Sequence, residues 1–437
     1  MNVLKFGGTS VGSVERMKHV ANLILKDKGN IVVLSAMSGT TNQLDEICQY
    51  LSKGNQPGAL EIINALRAKY DAVILDLLGR DNRYAEEAVV AVSQILALLR
   101  TLTAHDFTQV EAKEILAQGE LISTNIFHQY LKSLGVKSAL LPALEFMRID
   151  ARCEPDMRFI TSRLERLLEV YVDAEVYLTQ GYICRNHDGM IDNLRRGGSD
   201  YTASLIGAAV QAGEIQIWTD IDGMHNNDPR YVENTSPVSS LHFEEAAELA
   251  YFGAKILHPA CVLPARIANI PVRLLNTLEP DRPGTLIYDT PPSGTIKAVA
   301  AKDNITAIKI KSGRTLLAYG FLSKVFETFA RYHTSIDMIA TSEVGVTVTI
   351  DDTSHLADIV DDLRCFGSVT VDPDMVIICV VGDLEWHNSG FEARAVTALG
   401  DIPVRMISYG GSNHNISMLV SAADKVKALR YLSQHLF

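Results

Sequence analysis

The sequence contains no Gly-Lys dipeptide, so a Walker A phosphate loop is excluded, and it has no G-x-G-x-x-G, H-R-D or D-F-G string. The familiar nucleotide-binding turns and the protein-kinase loops are thereby ruled out. None of its six cysteines (Cys48, Cys153, Cys184, Cys261, Cys365, Cys379) forms a C-x-x-C pair. Neither a zinc site nor a disulfide framework is expected, and reduced, mostly buried thiols are. Positive charge is in deficit: Lys+Arg 40 against Asp+Glu 52 gives a net charge of −12, the reverse of what a nucleic-acid binder needs. There is no apolar run long enough to span a bilayer. Asn2 to Phe6 already reads as a strand carrying Lys5, which leaves no room for a signal peptide. A cytoplasmic protein is the expectation.

What is present is a chain of 437 residues, 47% hydrophobic, long and apolar enough for two or three domains. From Met1 to about Tyr288, short apolar runs alternate with helical patterns, the signature of an α/β domain with a largely parallel sheet. The expected strands are Val3 to Phe6, Ile31 to Ser35, Glu175 to Ile183, Ile215 to Thr219 and Ile270 to Leu275. Residues 54–100 lack strands and read as a helical insertion. A cluster of Pro280, Pro283, Gly284, Pro291, Pro292 and Gly294 marks a linker.

Beyond it, one order of elements occurs twice at an offset of about 70 residues, as the internal-repeat criterion requires. The first copy has strands at Ile305 to Ile310, Ile336 to Ile339 and Val346 to Ile350, with helices after Gly320 and from His355. The second has strands at Val376 to Val381, Val404 to Ser408 and Ile416 to Val420, with helices after Gly390 and at the end. Each copy is a βαββαβ-like, ferredoxin-like α+β unit whose last strand is poorly defined. The predicted domains are 1–290, 300–374 and 375–437, the last two being binding or assembly modules.

Four clusters sit where ligands of open α/β sheets bind, at strand ends. In Lys5-Phe6-Gly7-Gly8-Thr9-Ser10, glycines let backbone N–H groups approach an anion and Lys5 adds a full charge. A tight turn with a solvated lysine satisfies the same string. Arg195-Arg196-Gly197-Gly198-Ser199-Asp200 repeats the device ahead of another helix, and two anion nests imply a substrate carrying more than one anionic group. Arg196 can grip a carboxylate in bidentate fashion, while Asp200 can orient Lys5 or hold metal-bound water. A local pairing of Arg196 with Asp192 or Asp200 explains the arginine but not the double glycine. Ser35 to Thr41 supplies hydroxyls, and Gln118-Gly119-Glu120, read as opening a helix, supplies a carboxylate; together they suit an amino acid, although both are also ordinary capping chemistry. Last come Trp218 to Arg230 and Phe252 to Pro259, where Asp220, Arg230 and Lys255 are candidate nucleotide ligands or plain surface charge.

With these clusters in view, the chain resembles the aspartokinases of the amino-acid kinase fold. The resemblance rests on KFGGTS at Lys5, AQGE ending at Glu120, RGGSDYTA from Arg196, WTDIDG from Trp218 and FGAKILHP from Phe252. The tail resembles that family's paired ACT domains, through GFLSKVF from Gly320 and SIDMIATSEV from Ser335, and is closest to the monofunctional lysine-sensitive type. The fold so implied is a largely parallel central sheet with flanking helices plus two C-terminal ACT-like units.

The activity implied is transfer of the γ-phosphoryl group of ATP, with Mg²⁺, to the side-chain carboxylate of L-aspartate. Lys5, Gly7, Gly8 and Lys255 would contact the phosphates, with Thr219, Asp220, His225 and Arg230 around the nucleoside. Ser35, Thr41, Glu120, Arg196, Gly197, Gly198 and Ser199 would hold aspartate, Glu120 taking its ammonium group and Arg196 its α-carboxylate. Lys5, Asp200 and Arg196 would serve the reacting centre. An amino-acid effector, lysine before threonine, would meet Thr315, Ala318, Phe321, Leu322, Ser335, Ile336, Asp337, Thr341, Ser342 and Glu343. No metal site beyond the Mg²⁺ of ATP is implied, and a homodimer or larger homo-oligomer through the ACT units is.

The chain departs from the family at His225, Asn226 and Asn227, where relatives often have Tyr and two Thr, and at Thr315 and Ala318, where Met and Ser are common. Two other readings compete: a glutamate or acetylglutamate kinase of the same fold, and a catalytically silent ACT-type sensor. A fused homoserine dehydrogenase is not expected at this length.

Overall fold

A computed structural model describes the chain apart from residues 81, 195–196, 254–256, 290–293, 312–319 and 388–389. It divides into two compact units, residues 1–224 with 256–289 and residues 225–255 with 290–437. The sequence reading carries the first domain unbroken to 290, whereas 225–255 packs within the second unit. There Tyr231 and Val232 join a core with Val376, Ile378 and Leu429, and the Asn227 amide donates to the Leu429 carbonyl at 2.9 Å.

In the first unit, seven strands are β1 (Val3–Phe6), β2 (Asn30–Leu34), β3 (Ser138–Leu141), β4 (Val176–Gln180), β5 (Ile215–Thr219), β6 (Val272–Asn276) and β7 (Thr285–Tyr288). They stand in the order β3-β4-β2-β1-β5-β6-β7. All neighbouring pairs are parallel except β6 with β7. Every residue of β2 and β4 is buried, as expected of strands covered on both faces by helices. Because six strands run the same way, their C-terminal ends share one edge, and the motif loops emerge there.

The strand expected over Glu175 to Ile183 is cut short at Gln180. Tyr182 has φ 69°, and a Cβ on Gly181 would lie 2.3 Å from the Ser199 side chain, so the chain turns instead of extending. The helical insertion is borne out by helices Gln56–Leu78 and Arg83–Leu102, whose buried residues (Ala59, Ile63, Leu66, Tyr70; Ala85, Ala88, Val92) recur at helical spacing. Gln118-Gly119-Glu120 does not open a helix. It lies inside Gln109–Ser133, which begins at a Thr108 capping box. Gly119 costs helix propensity there, but a Cβ at that position would stand 2.8 Å from Ala36 Cβ, so the glycine lets the helix press on the loop after β2.

The second unit contains a six-stranded antiparallel sheet of β8 (Ile296–Lys311), β9 (Ile339–Ser342), β10 (Gly345–Ile350), β11 (Ser368–Gly382), β12 (Met406–Tyr409) and β13 (Asn415–Ser421), in the order β9-β10-β8-β11-β13-β12. Strands β8 and β11 each serve both repeats. Residues 306–311 of β8 pair with β10 and with 368–372 of β11, whereas 296–302 pair with 377–382, and register shifts separate the two halves. The missing fourth strands are thereby located. That of the first module is the opening half of β11, and that of the second is supplied by the opening half of β8. The first module is thus inserted within the second.

Each module keeps its own core, one around Ile308, Phe321 and Phe329, the other around Ile378, Met418 and Leu432. The strand expected at Ile336 to Ile339 begins only at Ile339; ahead of it the Met338 N–H donates to the Thr349 hydroxyl at 2.9 Å instead of to a backbone carbonyl. Among the described residues no helix is long and apolar enough to cross a membrane.

Candidate active site and effector residues

Strand β1 ends at Phe6, and the chain turns through Gly7 and Gly8. A Cβ on Gly8 would sit 2.8 Å from the Ala36 carbonyl oxygen, so only glycine lets this loop lie against the loop after β2. The contact is sealed by Ser38 N–H donating to the Gly8 carbonyl at 3.2 Å and Ser35 N–H donating to that of Phe6 at 3.2 Å. The Lys5 ammonium reaches over Gly7 to stand 2.7 Å from Asp200 Oδ1, with the two side chains 12% and 15% exposed. That oxygen has no aligned hydrogen bond among the described residues, which makes the contact one of charge.

Asp200 is in the first turn of helix Gly198–Val210, which Gly197 opens at φ 72°. A Cβ on Gly197 would collide with Cys261 Sγ at 1.8 Å. Helix starts of this kind attract anions through the macrodipole and the first-turn N–H groups. One residue before Asp200, the Ser199 hydroxyl accepts from Ser35 Oγ at 2.9 Å. The loop after β2 and the helix start after Gly197 are therefore joined directly, beside the glycine turn that carries Lys5.

Glu120 points at the same loop, and its Oε1 accepts from Ala36 N–H at 3.2 Å. Burial pushes its carboxyl up to about 7. Ser123, one helical turn on, donates to the Ser35 carbonyl at 2.9 Å. Thr41 is exposed at the start of helix Thr40–Ser52. Lys69, which the motif reading missed, donates to Thr40 Oγ1 at 3.0 Å and to the Ser38 carbonyl at 3.1 Å. Burial lowers its pKa; no local string marks it, because it comes from the helical insertion. Thr219 and Asp220, hydrogen-bonded to each other at 3.2 Å, line a small cleft with Thr9, Ser10, Arg16 and Thr277 at the ends of β1, β5 and β6.

His225 and Arg230 belong to the second unit. The His225 ring shares a 2.8 Å hydrogen bond with the Thr235 hydroxyl, and Arg230 forks onto Asp228. In the same unit Phe321 is a core residue, Leu322 and Ser335 are exposed, and Thr341, Ser342 and Glu343 lie exposed along or just after edge strand β9. Ile336 packs on the first module's core. Asp337 is fully enclosed and paired with Lys302 at 2.6 Å. Arg196, Lys255, Thr315 and Ala318 lie outside the described residues.

Residues 1–276 match the Amino acid kinase family, and residues 378–436 match an ACT domain. Lysine-sensitive aspartokinase 3 of Escherichia coli K12 is 33% identical over 450 residues, spanning all of this chain and 99% of that protein. The chain belongs to the aspartokinase family. Aspartokinase 1, chloroplastic, of Arabidopsis thaliana is 35% identical, over all of this chain and 80% of the relative. Among solved structures, E. coli aspartokinase III in complex with aspartate and ADP (R-state) superposes with a TM-score of 0.83 at 32% identity, each chain being covered in full. The complex of that protein with lysine and aspartate (T-state) gives the same score, covering 99% of it. The activity of the present chain is that of an aspartate kinase, a phosphotransferase, on an amino-acid kinase fold with a C-terminal ACT region.

Proposed function

We propose that this aspartokinase transfers the γ-phosphoryl group of MgATP to the side-chain carboxylate of L-aspartate, and that L-lysine restrains it through the first ACT module. The observation that carries the catalytic reading is the meeting of Lys5 with Asp200 beside the Ser35–Ser199 contact. A carboxylate nucleophile, with a reference pKa near ~3.9, is already ionised at neutral pH and needs no general base. The barrier is the approach of one anion to another, and positioning with fixed positive charge lowers it.

In this scheme Lys5 holds the phosphates over Gly7 and Gly8, while the start of helix Gly198–Val210 adds its dipole. Glu120 receives the ammonium group of aspartate, Ser35 and Ser199 its carboxylate side, and Arg196 the α-carboxylate. Asp200 keeps the Lys5 ammonium in place, and its unaligned Oδ1 fits a water held by the Mg²⁺ of ATP. The ion would supply further neutralisation of phosphate charge. Thr219 and Asp220 suit the nucleoside end.

For the effector, the support is Asp337, an enclosed carboxylate whose Oδ2 has no hydrogen-bond partner among the described residues, with exposed Ser335 and Thr341 to Glu343 nearby in sequence. Exposed Ile339 and Val344 at edge strand β9 support pairing of ACT modules between two copies. All six cysteines are free thiols, which accords with a reducing cytoplasm.

Steady-state kinetics with aspartate and glutamate, each with and without lysine and threonine, test the reading. Aspartate-dependent ADP release inhibited by lysine is expected. Equal turnover of glutamate would move the enzyme to another amino-acid kinase, and indifference to both effectors would remove the regulatory claim.

A further inference from the structure

Within the second unit, the start of helix Phe243–Tyr251 and the turn before β13 bring together three side chains that the phosphoryl-transfer site does not use. His242, Glu244 and His414 each offer one ligand atom, and these atoms lie within 4.8 Å of one another. His414 Nε2 is 2.9 Å from Glu244 Oε2. The His242 and His414 rings stand 5.0 Å apart, centroid to centroid, at 17°. His414 Nδ1, the ring nitrogen that faces away from Glu244, is buried and has no hydrogen-bond partner among the described residues, so the ligand atom turned to Glu244 is Nε2.

Neighbouring polar groups are otherwise engaged. Glu245 accepts from His242 N–H and from Lys297, each at 2.7 Å. Glu248 accepts from the Asn415 amide. The backbone of the turn is fixed by His414 N–H donating to Ser412 Oγ at 3.1 Å and Gly382 N–H donating to the His414 carbonyl at 3.0 Å.

The geometry points to a binding site for a first-row divalent metal ion, Zn²⁺ or a similar one, formed by His242, Glu244 and His414. Two imidazoles with one carboxylate are the donor set that such ions take, whereas Mg²⁺ and Ca²⁺ ask for oxygen alone. Metal–ligand bonds of about 2.0–2.2 Å put neighbouring ligands on a tetrahedron roughly 3.3 Å apart, close to the separation of His414 and Glu244, and a fourth position remains for water. His242 Nδ1 now accepts the helix-capping N–H of Glu244 at a long 3.2 Å. The ring would bind metal through its other nitrogen, or in exchange for that cap. Occupied, the site clamps the beginning of the helix to the turn before β13. That helix runs directly into Phe252-Gly253.

The test uses the full chain, stripped with a chelator, dialysed and titrated with Zn²⁺ by calorimetry, and with Co²⁺ by visible absorption. One equivalent bound, a higher melting temperature and the visible bands of a four-coordinate Co²⁺ are expected. Glu244→Gln and His414→Gln should each weaken binding at least tenfold while leaving metal-free kcat unchanged. If His414→Gln fails to fold, Glu244→Gln, at a partly exposed position, gives the same readout. Absence of saturable binding, or wild-type binding in the variants, would overturn the site and leave His414 and Glu244 as a plain ion pair.

Discussion

Lys302 holds its ammonium 2.6 Å from Asp337 Oδ1 and 2.9 Å from Asp351, and the Tyr251 hydroxyl donates to the same Asp337 oxygen. Lys302 also lies over the Tyr251 ring, 4.4 Å from its centroid. An internal cation thus occupies the carboxylate to which the proposed effector would bring its own ammonium group, and its Oδ2 has no hydrogen-bond partner among the described residues. Asp337→Asn should raise the lysine concentration needed for half-inhibition by 10- to 100-fold, matching the roughly 1.5–3 kcal/mol of a hydrogen bond to a charged group. Activity without lysine should be retained. Inhibition curves of both proteins decide it, and an unshifted curve would remove Asp337 from the effector site.

Lys5 is placed to act on the reacting charge more than on ground-state binding. Lys5→Met is expected to lower kcat by on the order of 10²–10³, the usual cost of losing one electrostatic stabiliser, with a much smaller rise in the aspartate KM. Asp200 would be left without its cation, so melting temperature should be followed in parallel to separate chemistry from folding.

Glu120 gives the pH dependence. Burial raises its folded pKa to about 7, above the unfolded reference of about 4.3. The neutral form is thus favoured in the free protein: its contribution to stability is full below the unfolded value and is lost as pH rises through about 7. Binding of the substrate ammonium requires the ionised form and runs the other way. The aspartate KM should fall as pH rises toward 7 and level off above it, and Glu120→Gln should show a high, flat profile.

Gly197 tests the backbone. Alanine there must hold φ 72°, a conformation costing roughly 1–2 kcal/mol, and must also displace Cys261. Gly197→Ala should be destabilised by at least that much in urea unfolding. Adding Cys261→Ala should return only the part due to the clash.

The central strands were legible because β1, β2 and β5 are short, mostly apolar runs ending in turn chemistry, and the helical insertion because its apolar residues keep a helical period. Other features depend on distant partners and leave no local mark. Gly119 reads as a helix boundary until Ala36 is seen against it. The fourth strand of the second ACT module precedes the first module in sequence, at residues 296–302, where no repeat offset marks it. Among the site residues, Lys5, Ser35, Gly197, Ser199 and Asp200 lie on motif strings and converge in the fold. Lys69 has no string, and only the packing of the insertion on the Ser38–Thr40 loop exposes it.

The claim that Lys5 serves to bring two anions together is tested most directly by phosphorus NMR of a reaction containing enzyme, MgATP and aspartate. An acyl-phosphate signal growing in step with ADP in the wild type, and absent without aspartate, is expected. With Lys5→Met that signal should be reduced at least a hundredfold in rate, in line with the loss expected of one stabilising charge. ADP formation indifferent to aspartate, or an acyl phosphate made as fast by Lys5→Met, would contradict it.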